Sequence, residues 1–460
     1  MTTIHGVARF KPLALAIALA GLSTQAGAAG FALIEQSASG LGNAFAAGAA
    51  ATDDASVQFF NPAALTELSG TQTSVALHYI MPKAELQSGA TAEVRFPPPS
   101  NAVVPFSGPT SGDAGVDSFV PNFYYARDIN AKTKFGLGIS VPFGLTTEYD
   151  DDWIGRYHAI KSDLFTVNIN PAIGYKVNEK LSLGAGLSAQ YIEAELTSAV
   201  DTSSNCLGAE GAGLIPVGTC TGLGLNVPAD QSVDGKAEVT GDSWGYGFNL
   251  GLLYKFTEAT RMGVAYRSSV SQDLKGDAKF SGPLVTLGFQ DSKESASASV
   301  DLPASVSVSF VHSASNALEV MGDITWTQWS SFDELVVEDS SGGVISQTTE
   351  NWDDTYRYAL GLSYTSSSTM KWRAGVAYDQ TPVPDAEHRT PRIPDNDRTW
   401  IALGLTWTAN ANSTFDFGYA HLFVPDAKID NTTEADIKHN LNGTYESSVD
   451  ILSAQWNYTF

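Results

Sequence analysis

The chain of 460 residues has no apolar run that reaches membrane-spanning helical length, few cations and only two cysteines. Each shortage excludes something. A spanning helix needs about 20 predominantly apolar residues, and the compact apolar stretch at residues 13–22 is too short. A mean hydropathy of −0.07 excludes a helical membrane protein. It leaves a membrane β-barrel open, because only alternate barrel residues face lipid. Lys and Arg total 26 against 50 Asp and Glu, for a formal charge of −24. A nucleic-acid partner is thereby excluded, since phosphates are bound by Lys and Arg. Solvated external loops account for the acidity, and Asp150-Asp151-Asp152 is the one run to consider for calcium. The seven histidines are scattered without metal-ligand spacing. No Gly-x-Ser-x-Gly elbow or phosphate loop occurs. The sequence therefore predicts no enzyme, no metal and no cofactor.

What is present begins with an export signal. Arg9 and Lys11 precede the apolar stretch, and Ala26, Gly27 and Ala28 follow it, so residues 1–28 read as a cleavable signal peptide. In an exported protein, Cys206 and Cys220 are expected to form one disulfide. Closing a loop of about 15 residues contributes roughly 3 kcal/mol in the chain-entropy account. Two free thiols or a metal site are the competing readings, and no His lies near.

The C-terminus gives the fold class. Leu452, Ala454, Trp456, Tyr458 and Phe460 alternate with Ser453, Gln455, Asn457 and Thr459. A period of two puts one set on each face of a strand. An aromatic final residue on an amphipathic strand resembles the signal read by the outer-membrane barrel-assembly machinery. Upstream, segments at 71–81, 117–129, 133–141, 162–177, 180–196, 236–256, 259–274, 294–312, 316–329, 352–365, 371–380, 397–408 and 413–421 are also strand-like. With 444–460 they make fourteen, an even number as a bacterial single-chain barrel requires. Short turns, such as Asn178-Glu179, alternate with long connections at 82–116, 142–161, 197–235, 275–293, 330–351, 381–396 and 422–443. That sorting by side is an outer-membrane property. The expectation is an all-β, fourteen-stranded antiparallel transmembrane barrel over residues 71–460, in the outer membrane of a Gram-negative bacterium. Residues 29–70 are rich in Ala, Gly and Ser without alternation. They suit an N-terminal hatch folded inside the lumen, with a disordered periplasmic tail as the alternative.

Within that segment, Ala29-Gly30-Phe31, Ser39-Gly40-Leu41-Gly42, Asp53-Asp54 and Asn61-Pro62-Ala63 resemble the hatch of the FadL family. These are outer-membrane transporters of long-chain fatty acids and other hydrophobic compounds. The resemblance continues through Gly144-Leu145-Thr146-Thr147-Glu148-Tyr149, Ala265-Tyr266-Arg267-Ser268, Asp354-Thr355-Tyr356-Arg357 and Ile393-Pro394-Asp395-Asn396-Asp397-Arg398. It implies that external loops collect an apolar ligand and that hatch movement then releases it sideways through a kinked third strand. By this resemblance Phe31 touches ligand, Asn61, Pro62 and Ala63 hold the hatch, and Gly144 marks the kink. The competing reading is that Pro142 merely ends the strand. Outer-membrane lipid and lipopolysaccharide are the expected surroundings, and a monomer the expected state.

The substrate is less determined. A carboxylate in an apolar pocket needs a cation. Where fatty-acid members of the family carry basic residues, this chain has Glu193-Ala194-Glu195 and Phe332-Asp333-Glu334-Leu335-Val336. Arg357 and Arg398 remain as candidate ligand residues, or as partners of Asp353, Asp354 or Asp397. Neutral hydrocarbons of the toluene type are therefore a rival substrate class, and a general porin a more distant one. Trp326, Trp329, Trp400 and Trp407 are read as aromatic-belt residues in preference to ligand-path residues.

Overall fold

The computed structural model describes residues 30–288 and 290–460. The expected leader, together with Ala29, lies outside them. Fourteen antiparallel strands close into one barrel. They are β1 (Gln72–Leu86), β2 (Ser118–Asn130), β3 (Thr133–Ser140, resuming at Gly144–Glu148), β4 (Lys161–Lys176) and β5 (Leu181–Val200). Next come β6 (Gly235–Thr257), β7 (Thr260–Arg267, then Val270–Ser281), β8 (Lys293–Leu302, then Ser305–Ser313) and β9 (Leu318–Thr327, then Glu334–Asp339). The rest are β10 (Val344–Thr349, then Thr355–Ser367), β11 (Met370–Asp379), β12 (Arg398–Asn410), β13 (Ser413–Thr432) and β14 (Lys438–Thr459). Pairing of β1 with β14, from Gln72↔Thr459 to Leu86↔Tyr445, closes the barrel.

The alternation of β14 resolves into two faces of opposite character. Leu452 and Trp456 stay 48% and 41% exposed, whereas Ser453 and Gln455 are buried. The same inversion runs round the wall: Leu187 and Leu360 face outward, while Ser74, His78, Asn122, Thr166 and Gln272 are buried. A water-soluble sheet would bury the opposite face. Apolar-out and polar-in is what lipid selects.

On the outer side the strands run past their expected ends. β1 continues to Leu86, β5 to Val200 and β13 to Thr432, and β14 already begins at Lys438. Most of 422–443 and parts of 82–116, read from sequence as loop, are thus extended ladder, whereas in 197–235 only the two ends are. A hairpin of Thr91–Arg95 and Val103–Phe106 also joins β14, at Thr91↔Asn442. Above the bilayer the outward face no longer has to be apolar, so the period-two signal fades although the ladder persists. Cys206 and Cys220 form a disulfide within the external connection between β5 and β6, at the helix α1 (Thr202–Gly211).

Residues 30–68 lie against the inward face of the wall. They form short turns of helix at Ala38–Leu41, Gly48–Ala50, Val57–Phe60 and Pro62–Glu67. The Ser37 hydroxyl caps the first by accepting from the Gly40 amide at 3.1 Å. Such short helices leave carbonyls without intrahelical donors. Wall cations supply them: Arg357 donates to the Ala44 carbonyl at 2.8 Å, and Arg261 to Ala50 at 2.8 Å. Arg267 donates to Phe59 at 2.6 Å and Lys134 to Leu68 at 2.6 Å. Small side chains allow this close approach. A methyl group at Gly263 of β7 would collide with the Ala49 carbonyl.

Candidate functional site: a partitioned lumen and a break in its wall

Three spaces follow one another inward. The outermost, about 2660 Å³, is polar and includes Arg95, His158, Asn205, Asn431, Glu434 and Asn440 among its lining. Below it lies an apolar pocket of about 890 Å³ formed by such residues as Leu145, Leu164, Ile192, Leu274, Val300 and Leu335. The two are continuous, since Leu196, Val239, Leu335, Val337 and Arg392 line both. The innermost space, about 1060 Å³, is lined by Leu33, Ile34, Phe45, Phe60, Pro142 and Pro303, with Arg267, Arg357, Asp323 and Asp379 among its polar groups.

Phe31 stands between the apolar pocket and the innermost space. Its ring centroid is 4.9 Å from that of Trp329, 5.4 Å from Phe332, 5.8 Å from Trp352 and 6.0 Å from Phe143. Tilted and edge-on aromatic pairs at these separations are favourable beyond the area they bury. Phe31 lines the apolar pocket, whereas Phe143 and Trp329 line the innermost space. Gly30 brings Phe31 to this position. It has φ +63°, and a methyl group there would lie 2.8 Å from Trp329 and 2.9 Å from Trp352. Both its conformation and its surroundings require glycine.

The wall is interrupted beside this cluster. β3 stops at Ser140 and resumes at Gly144, skipping Val141, Pro142 and Phe143. Pairing of β2 with β3 runs from Asn130↔Thr133 to Phe123↔Ile139, and then lapses until an isolated bridge at Gly115↔Thr147. The N-terminal segment supplies the missing partner. The Leu33 amide donates to the Pro142 carbonyl at 2.8 Å, and the Gly144 amide to the Phe31 carbonyl at 2.9 Å. Ala32 and Phe143 thus form one antiparallel bridge. On the other side, Thr166 of β4 takes up Phe143, whose amide donates to the Thr166 hydroxyl at 3.0 Å. A space of about 540 Å³, lined by Gly30, Gly115, Thr146, Thr147, Asp395 and others, adjoins the break.

The remaining residues singled out from sequence are placed as follows. Asn61 is fully buried. Its Oδ1 accepts from the Ala63 amide at 2.9 Å, and its Nδ2 donates to the carbonyls of Ala49 at 2.5 Å and Leu252 at 3.0 Å. Pro62 opens the last helical turn. Arg398 pairs with Asp395, not Asp397. Asp395 also accepts the Gly30 amide at 2.9 Å and the Thr381 hydroxyl at 2.8 Å. Arg357 lies 3.9 Å from Asp379, not beside Asp353 or Asp354, with its guanidinium 5.0 Å over the Trp400 ring. Asp379 was missed because its pairing is cross-strand: Arg357, Asp379 and Arg398 are register neighbours on β10, β11 and β12, whereas Asp395 lies only three residues before Arg398. Trp329 and Trp400 are buried in the lumen and are not belt residues, whereas Trp407 is exposed. Arg392 was not singled out at all. It lies in a Pro-rich connection where no periodicity shows which way a side chain points.

The sequence pattern of the family described as outer membrane protein transport protein (OMPP1/FadL/TodX) matches residues 19–460. A long-chain fatty acid transport protein of Escherichia coli O6:H1 is 31% identical, over 98% of this chain and 99% of its own. The crystal structure of a Pseudomonas aeruginosa FadL homologue superposes with a TM-score of 0.83 at 26% identity, covering 94% of this chain and all of that one. A Pseudomonas putida toluene transporter, TodX, shares the fold at 18% identity and a TM-score of 0.64, over 90% of this chain and 95% of that one. With a whole-length family match, an apolar belt facing lipid and a closed fourteen-stranded wall, this chain belongs to the outer membrane protein transport family (OMPP1/FadL/TodX) and resides in the outer membrane.

Proposed function

We propose that this chain takes up long-chain fatty acids, or hydrophobic molecules like them, and releases them sideways into the outer membrane. The observation that carries this reading is the pairing of residues 31–33 with the broken β3. Residues 29–70 act as a hatch. In the described state Phe31 closes the apolar pocket from below, and residues 31–33 occupy the break in the wall. Withdrawal of these residues joins the apolar pocket to the innermost space and to the gap between β2 and β3. A ligand then leaves through the wall without crossing a water-filled pore. That route suits a molecule that partitions poorly into water. The chain acts as a monomer surrounded by lipid and lipopolysaccharide, and it performs no catalysis and needs no cofactor.

A second reading, uptake of neutral hydrocarbons, is favoured by one observation. Arg357 and Arg398 are engaged by Asp379 and Asp395 and are not set aside for a ligand carboxylate. Uptake of oleate and of toluene by a transporter-null strain expressing this chain separates the two. Saturable oleate uptake supports the first reading, and toluene uptake without oleate supports the second.

A further inference from the structure

Among the described residues that line the apolar pocket, one is a cation, and it stands at the pocket's mouth. Arg392 lines both the outer vestibule and the apolar pocket. Its guanidinium is held by neutral acceptors. Nη1 donates to the Lys161 carbonyl at 3.1 Å and the Ser162 hydroxyl at 2.9 Å, and Nη2 to the Thr197 carbonyl at 3.4 Å. No carboxylate lies within ion-pair distance of it among the described residues. Its neighbours contrast with it: Lys161 pairs with Glu195 at 3.0 Å, and Arg95 pairs with Glu93 at 2.6 Å. Glu350 lines the same pocket and accepts from the Trp352 indole at 3.0 Å. Burial raises its carboxyl to about 8, so at neutral pH it supplies little countercharge. Burial also lowers the Arg392 guanidinium to about 10, which leaves it charged throughout the physiological range.

An uncompensated charge beside apolar walls is costly unless an anion joins it. Arginine forms strong charge-assisted hydrogen bonds with carboxylates. From Arg392 the pocket continues past Ile393, Leu335 and Ile192 to Phe31. We propose that Arg392 is the head-group anchor of this transporter: it binds the carboxylate of an amphipathic ligand whose hydrocarbon tail lies in the apolar pocket against Phe31. This rests on the fatty-acid reading above and makes it specific, because the anchor selects carboxylates over neutral molecules of the same shape. Ser162 and Thr197, on the neighbouring β4 and β5, orient the guanidinium and are positioning residues.

The test is binding to the purified full-length barrel of two ligands with the same tail, oleate and oleyl alcohol, followed by tryptophan fluorescence. Arg392→Gln is expected to weaken oleate about tenfold to a hundredfold, the range of a lost charge-assisted hydrogen bond, and to leave oleyl alcohol within about twofold. Arg392→Lys, which keeps the charge but not the planar fork, should recover part of the oleate affinity. Equal losses for both ligands would mean that Arg392 only supports the pocket wall, and no loss for either would mean that the head group lies elsewhere. Both results overturn the anchor. If Arg392→Gln still takes up oleate in cells at the wild-type rate and KM, the transport reading stands and only the anchor fails. If the unsubstituted protein binds oleyl alcohol and not oleate, the fatty-acid reading fails together with the anchor.

Discussion

The Gly144 amide donates to the Phe31 carbonyl across 2.9 Å, so the outer half of a wall strand begins on a hydrogen bond to the chain's own N-terminal segment. Two residues on, Leu33 returns the interaction to Pro142. An interrupted strand exposes backbone groups that need partners. Here the partner is a segment that enters from the lumen and is not part of the wall. The same residue, Phe31, also separates the two apolar spaces with its side chain. One displacement of residues 31–33 would therefore open the path within the lumen and the path through the wall together.

Filling of the lumen by residues 30–70 has an electrical consequence. Deletion of this segment is expected to raise ion conductance in a planar bilayer to a level typical of an open barrel. An unchanged current would show that other parts of the chain occlude the lumen.

Asn61 satisfies three backbone groups from three places in the chain, those of Ala63, Ala49 and Leu252. Asn61→Ala strands them in a buried site, at about 1–3 kcal/mol for each group left unsatisfied. The variant should lose its compact, unheated electrophoretic form at a lower temperature than the unsubstituted protein. Asn61→Asp keeps the cap on Ala63 but sets a carboxylate against two carbonyls, and it should be no more stable than the alanine variant. An aspartate variant as stable as the original would show that the amide donor contributes nothing.

Arg398 acts on the N-terminal segment through Asp395, which receives the Gly30 amide. Arg398→Ala leaves a buried carboxylate without its cation, a change that commonly costs about 3–5 kcal/mol. It also loosens the seat of Gly30. Uptake should change to the same extent for oleate and for a neutral aromatic, because in the proposed function the N-terminal segment gates the path of every ligand. A loss confined to oleate would instead assign Arg398 to the head group.

Much of this architecture is legible in the sequence. Alternation such as that of residues 452–460 fixes strands directly, because lipid demands an apolar outward face over the whole bilayer depth. Strand ends above the membrane are not legible, since that demand stops there while the ladder continues to Val200 or Thr432. Ion pairs depend on register: Asp379 is opposite Arg357 although 22 residues separate them. A register slip of one residue would turn that acid outward. The wall break was hinted at by Pro142 and Gly144, yet its partner at Phe31 and Leu33 is a tertiary contact with no local signal. Arg392 was silent for a related reason. A single arginine in a Pro-rich connection carries no periodicity, and only the three-dimensional structure shows it at the pocket mouth with no carboxylate in ion-pair distance among the described residues.

The central claim is that residues 31–33 must leave the break in β3 before a ligand can pass. Ala32 and Phe143 face each other as a bridge pair without mutual hydrogen bonds, the geometry in which side chains approach closest. Paired cysteines at these two positions, Ala32→Cys with Phe143→Cys, in a background carrying Cys206→Ser and Cys220→Ser, allow the segment to be locked and released in one protein. Oleate uptake should stop when the pair is oxidised and return when it is reduced. Uptake that continues at the same rate with the pair quantitatively cross-linked would contradict the account.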